Sequence, residues 1–266
     1  MRATAAIGPL DPDGLPAASG SIGLLSVGIS NARQEFDELC QRLEVDHDRS
    51  PAVRLANGAQ DHMDLGAWAT GRGANGDPWS HLTERLAQAG LTEQQVQAAW
   101  LKAAPSVPAT MGEFPEHAEQ TKRDLQEVVT RLGSRFPNLR LVYLSSRIYG
   151  GYAVTQLSPE PYAYEGAFAV RWLIQEQMQG DPPRRGANRA GADGVPVLLW
   201  GPYVWADGDR LRRPGALTWE REDFHADGTH PSPAGRQKVA EILHRFFKTD
   251  PTARPWFATP PGGRPT

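Results

Sequence analysis

Cysteine is nearly absent: Cys40 stands alone among 266 residues. A single thiol excludes an intrachain disulfide and a cysteine-built metal site. It lies in an amphipathic stretch, where a small thiol is expected to pack as a hydrophobe. No apolar run reaches the ~18 residues that a membrane-crossing helix requires. Nor is there an excess of either charge: 28 Lys and Arg face 31 Asp and Glu, for a net charge of -3 and a pI near 6.2. That balance offers nothing to attract nucleic acid or an anionic membrane, so neither is expected as a partner. The chain contains no repeat of 20–50 residues. Residues 1–20 hold Asp11 and Asp13 and no hydrophobic stretch, which does not fit a signal peptide. Two locations follow, the cytoplasm or secretion with a leader removed, and the sequence does not choose between them.

What is present is an ordinary globular composition, 39% hydrophobic and 22% charged, at a length suited to one domain. Composition divides the chain into a loose arm over 1–20, a single domain over 21–250 and a tail over 251–266. Short apolar runs at 22–27, 52–56, 96–101, 139–144 and 195–200 read as strands. Helical periodicity follows Ser30 and covers 78–86, 115–136, 162–178 and 232–247. Strands alternating with helices predict an α/β fold with a five-stranded parallel sheet covered on both faces. The run 181–194, with Arg184, Arg185 and Arg189, reads as a solvated surface loop. Gly71 to Gly76 has no preceding strand and reads as a flexible loop, not a phosphate cradle.

In an open parallel sheet, ligands bind beyond the carboxyl ends of the strands. Gly28-Ile29-Ser30-Asn31 ends the first strand, and Ser30 stands directly between that strand and a helix N-terminus. Free N–H groups and the helix dipole favour negative charge there, as an oxyanion requires. Serine is also a common helix N-cap, so on this feature alone Ser30 is either a cap or a nucleophile. Asp227-Gly228-Thr229-His230-Pro231 supplies the second half of the pattern. An Asp and a His three residues apart on one turn can join, the carboxylate fixing the imidazole tautomer and leaving one ring nitrogen to take a proton. The plain alternative is a turn whose polar side chains satisfy local backbone groups.

Taken in order along the chain, Gly28-Ile29-Ser30-Asn31 and Asp227-Gly228-Thr229-His230-Pro231 resemble the SGNH/GDSL hydrolase superfamily. Leu144-Ser145-Ser146-Arg147-Ile148-Tyr149 and Trp205-Ala206-Asp207-Gly208 are similar to a little-characterised bacterial branch of it. The resemblance implies a flavodoxin-like three-layer α/β/α sandwich and a triad of Ser30 as nucleophile, His230 as base and Asp227 as its orienter. It implies a serine esterase acting on a short-chain acyl ester, such as an O-acetyl group on a carbohydrate. An acyltransferase with the same triad and a catalytically silent glycan-binding domain are the alternatives. No cofactor is implied, and the expected partner is a small-molecule or carbohydrate ester.

Three departures from the family pattern bear on the oxyanion site. The usual Gly-Asp-Ser-Leu is Gly-Ile-Ser-Asn here. Gly58 is the expected second amide donor beside that of Ser30, with Asp61 or His62 as the alternatives in another alignment. The Gly-x-Asn-Asp block is missing, and Lys102 either replaces its donor or is a solvated lysine. His62, His225, Asp61, Asp64 and Asp223 match no standard metal-ligand spacing, so no metal site is expected. Arg147, Tyr149 and Tyr152 either line the pocket or pack structurally. Trp200, Tyr203 and Trp205 form either an aromatic wall or core.

Overall fold

A computed structural model of the chain describes residues 2–180 and 195–259. Five strands, β1 (Ile22–Gly28), β2 (Val53–Asn57), β3 (Val96–Lys102), β4 (Leu141–Leu144) and β5 (Val197–Trp200), form one sheet in the order β2-β1-β3-β4-β5. Every pairing is parallel. This is the flavodoxin-like order, whose switch point lies between β1 and β3. The eight helices of the described residues are α1 (Arg2–Ala5), α2 (Ser30–Glu44), α3 (Leu65–Thr70), α4 (Pro78–Gln88), α5 (Glu116–Arg135), α6 (Tyr162–Gln179), α7 (Pro233–Thr249) and α8 (Arg254–Phe257).

The alternation of strand side chains divides the core into two. Leu25, Val27, Ala99, Leu101 and Val142 pack against Trp68, Leu82, Val128 and Leu173 from α3 to α6. Ile22, Leu24, Ala98, Trp100 and Tyr143 point the other way, against Phe36 and Leu39 of α2 and Val239 and Leu243 of α7. Both faces of the sheet are therefore covered, which explains why β1 and β3 are apolar along nearly their whole length.

Two segments differ from the composition reading. Leu10, in the expected arm, is buried, and the Gln97 side chain both accepts from Gly8 N–H and donates to its carbonyl. In the expected tail, Trp256 and Phe257 are buried and pack on Phe247, with ring centroids 6.1 and 5.1 Å away. Both segments are rich in small residues, Pro and Gly, which hides a few anchoring side chains. α3 was not legible as a helix because six residues span fewer than two turns, too few for a period to repeat. Its cap was present, since Asp64 accepts from Ala67 N–H at 3.0 Å. The Gly71–Gly76 stretch is a tight turn, with Gly73 and Gly76 exchanging backbone hydrogen bonds. The run 181–194, with its three arginines, lies outside the described residues. Among those described, no helix is long and apolar enough to cross a membrane. Burial pushes the Cys40 thiol up to about 12, so it stays protonated at neutral pH.

α2 and α7 lie side by side on one face and are joined at their C-terminal ends. Asp46, just beyond α2, accepts from His244 Nε2 at 2.6 Å and from Lys248 Nζ at 3.0 Å. Burial works to raise its pKa, but these bonds and one from the Asp48 amide outweigh it and hold the carboxyl at about 2. A depressed folded-state pKa contributes stability above the ordinary carboxylate range that is lost on acidification. Asp46→Asn is expected to lower unfolding stability by about 1–2 kcal/mol at neutral pH. Denaturant titrations should show that deficit shrinking as the pH falls from about 4 to about 2. A deficit independent of pH would contradict the assignment.

Candidate active site

Gly28 ends β1 where it touches β3. Its register partner is Lys102, and a Cβ at this position would lie 2.2 Å from the Lys102 carbonyl oxygen. Only glycine lets the two strands stay this close while the chain turns into α2. The Gly28 carbonyl accepts from Gln60 N–H at 3.0 Å and Trp68 Nε1 at 3.1 Å, so the turn is held from β2's loop and from α3. Ser30 is the first residue of α2. Ile29 occupies the cap position, where no side chain caps the helix. The Ser30 hydroxyl is therefore not used as a cap, and its amide N–H belongs to the helix end that lacks an intrahelical acceptor.

The hydroxyl meets the late loop instead. Ser30 Oγ lies 2.9 Å from His230 Nε2, and His230 Nδ1 lies 2.5 Å from Asp227 Oδ2. A carboxylate can only accept, so Nδ1 carries the ring proton and Nε2 is left to accept from the serine hydroxyl. The other Asp227 oxygen accepts from the amides of Thr229 and His230 at 3.0 and 3.1 Å. Burial acts to raise the Asp227 pKa, but the bond from the His230 ring and the two amide bonds prevail, so it sits below its ordinary value.

The turn that carries these groups has its own steric demand. Gly228 has a φ of 66°, and a Cβ there would come 1.7 Å from the Tyr152 carbonyl oxygen. Val154 N–H donates to the Asp227 carbonyl at 3.0 Å. Arg221 donates to the carbonyls of His225 and Ala226, both at 2.9 Å. One functional contact was missed in the sequence. Asn31, 3% exposed, donates from Nδ2 to the Thr229 carbonyl at 3.0 Å and ties the start of α2 to the Asp227–His230 turn. Its position next to Ser30 was the available signal.

The oxyanion expectations need two corrections. Gly58 N–H donates to the Ser26 carbonyl at 3.1 Å, prolonging the β1–β2 ladder, so it is committed to the sheet. Lys102 is neither a free donor nor solvated. At 3% exposure it is paired with the fully buried Glu35 through 2.5 and 2.6 Å contacts. Burial raises the Glu35 pKa and lowers that of Lys102, and each partner counters the shift in the other. Asp61 forms an ion pair with Arg33 at 2.8 Å, while His62 is exposed in a left-handed conformation with φ 63°. The backbone amides of Asp61 and His62 donate to no group among the described residues.

The other residues singled out in the sequence are spread over the molecule. Asp64 caps α3, Asp223 pairs with Lys238 at 2.5 Å, and His225 meets Arg236 at 3.1 Å. Among the described residues, no three His, Cys, Asp or Glu side chains gather as a metal site would require. Tyr149 packs on Tyr152 and Trp205, and the Trp205 indole donates to Glu160 at 2.8 Å. Trp200 and Tyr203 are 43% and 49% exposed. A cavity of about 540 Å³ opens between α2, the loop after β2 and α4, lined by Arg33, Gln60, Asp61, Met63, His81 and Glu84 among others.

No family model and no curated protein matches the chain. Among solved structures, the chain is similar to a candidate acylhydrolase from Bacteroides fragilis at 10% identity and a TM-score of 0.46, over 92% of this chain and 91% of that one. It is similar to the C-terminal catalytic domain of peptidoglycan O-acetyltransferase A from Streptococcus pneumoniae at 13% identity and a TM-score of 0.36, over 85% and 92%. A third similarity is to an extracellular lipase from Streptomyces rimosus, at 12% identity and a TM-score of 0.41, over 85% and 99%.

Removing one partner of a buried ion pair leaves an uncompensated charge in the interior. Lys102→Met is therefore expected to cost about 3–5 kcal/mol of stability, and adding Glu35→Leu should recover most of that loss. Denaturant unfolding of the two variants checks this. A single variant as stable as the wild type would show that the pair is not buried.

Proposed function

We propose that the chain is a serine esterase, with Ser30 as nucleophile, His230 as general base and Asp227 as its orienter. One observation carries the reading: an unbroken hydrogen-bonded series runs from Ser30 Oγ through His230 to Asp227, across 200 positions of sequence. In this mechanism His230 Nε2 takes the hydroxyl proton as Oγ attacks the ester carbonyl. Asp227, already ionised, stabilises the imidazolium that forms. The proton then passes to the leaving alcohol, the acyl group remains on Ser30, and water releases it through the same base.

In this reading the Ser30 amide and the N-terminal end of the α2 dipole stabilise the developing oxyanion. With Gly58 engaged by Ser26, the amides of the Asp61–His62 turn, which donate to no group among the described residues, serve as the second donor. The substrate is a short acyl ester of a polar alcohol, such as an O-acetylated carbohydrate.

Hydrolysis of p-nitrophenyl esters of graded acyl length tests the proposal. The acetyl ester should turn over fastest. Ser30→Ala and His230→Ala should each lower kcat by about 10⁴-fold or more, and Asp227→Asn by about 10⁴-fold, with little change in KM. A fluorophosphonate probe should label the wild type and not Ser30→Ala. Equal rates in wild type and Ser30→Ala would reject the triad.

A further inference from the structure

Beyond β4 the chain places three polar residues in a row. Ser145 is satisfied: its hydroxyl donates to the Pro202 carbonyl at 2.8 Å and accepts from the Trp100 indole at 3.0 Å. Its two neighbours are not. Among the described residues the Ser146 hydroxyl is buried without a hydrogen-bond partner, and so are Nε and Nη2 of Arg147, a residue only 8% exposed. Arg147 forms no ion pair among the described residues. The carboxylates whose charge reaches it are those of Glu35, Glu160 and Asp227, and all are engaged. Glu35 holds Lys102, Asp227 holds His230, and Glu160 accepts from Gly150 N–H, Tyr164 N–H and the Trp205 indole.

A buried guanidinium stays charged, and leaving its donors unmade is strongly unfavourable. The pattern of unmade bonds is specific. Nε–H and Nη2–H form one edge of the planar group, two parallel donors at the spacing of two carboxylate oxygens. Arg147 and Ser146 also line the same cavity, of about 20 Å³, between the ends of β3 and β4 and helices α5 and α6. That space admits a group of a few atoms. His117 on another wall is already committed to Glu165 at 2.6 Å.

We propose that the Nε–Nη2 edge of Arg147 and the Ser146 hydroxyl form a binding site for a single carboxylate group. The carboxylate accepts both guanidinium bonds, and the hydroxyl donates a third. The group belongs either to a free small carboxylate or to the acid end of an ester substrate.

Melting curves in sodium formate test binding, against a bulky sulfonate at equal ionic strength. Formate should raise the wild-type midpoint saturably, by roughly 5 °C at a hundredfold excess over its Kd. Arg147→Gln should lose the shift. Ser146→Ala, a smaller change at a site that leaves no cavity larger than a hydroxyl, should need several-fold more formate for half the effect. A wild-type curve that follows the sulfonate control, or a Ser146→Ala response identical to wild type, would overturn the site.

A kinetic arm then identifies the source and rests on the esterase reading, whereas the melting arm does not. A KM for p-nitrophenyl hemisuccinate that rises tenfold in Ser146→Ala, with p-nitrophenyl acetate unaffected, assigns the carboxylate to the substrate. Unchanged KM values beside a weakened formate shift assign it to a free acid.

Discussion

The esterase reading depends on the start of α2 lying against the loop that precedes α7. The two helices run in the same direction on one face of the sheet and are joined at both ends. Asn31 and Ser30 meet Thr229 and His230 at the N-terminal ends. Asp46 meets His244 and Lys248 at the C-terminal ends. Between them lies the packed layer of Phe36, Leu39, Val239 and Leu243. A hydroxyl–imidazole distance of 2.9 Å cannot be maintained by two loops alone, and here rigid elements set it. The sheet contributes through its crossover order, because the switch point between β1 and β3 leaves the end of β1 accessible.

The carboxyl edge of the sheet also concentrates buried charge to an unusual degree. Glu35, Lys102 and Arg147 lie there with almost no exposure, close enough to shift one another's titration. Ion pairs in such a place are weak sources of stability but sensitive to any change in one partner. Lys102 and Glu35 resolve their burial internally through contacts of 2.5 and 2.6 Å. Arg147 has no such partner among the described residues, which separates it from that structural pair.

Much of the fold was legible in the chain. The five apolar runs became five parallel strands, and the long periodic segments became α2, α4, α5, α6 and α7, because both signals are local and strong. The short α3 was not, since fewer than two turns give no repeating period. The anchors Leu10, Trp256 and Phe257 were hidden among small residues. At the site, the resemblance carried by the Ser30 turn and the Asp227–His230 turn singled out three side chains that lie in contact. The donors around them were not. Gly58 was read as a free amide, yet β1 takes its N–H. Lys102 was read as a donor or a solvated cation, yet α2 places Glu35 against it.

The division follows the range of the physics involved. Strand and helix formation are consequences of local pattern, so the residue order determined them, whereas the carbonyls of Lys102 and Tyr152 packed against Gly28 and Gly228 impose the demand for glycine there. Which hydrogen bonds remain unmade depends on what packs opposite each group, often a hundred or more positions away. Only the folded chain decided that Ser30 Oγ faces His230, that Gly58 and Lys102 are already paired, and that Arg147 has no partner among the described residues.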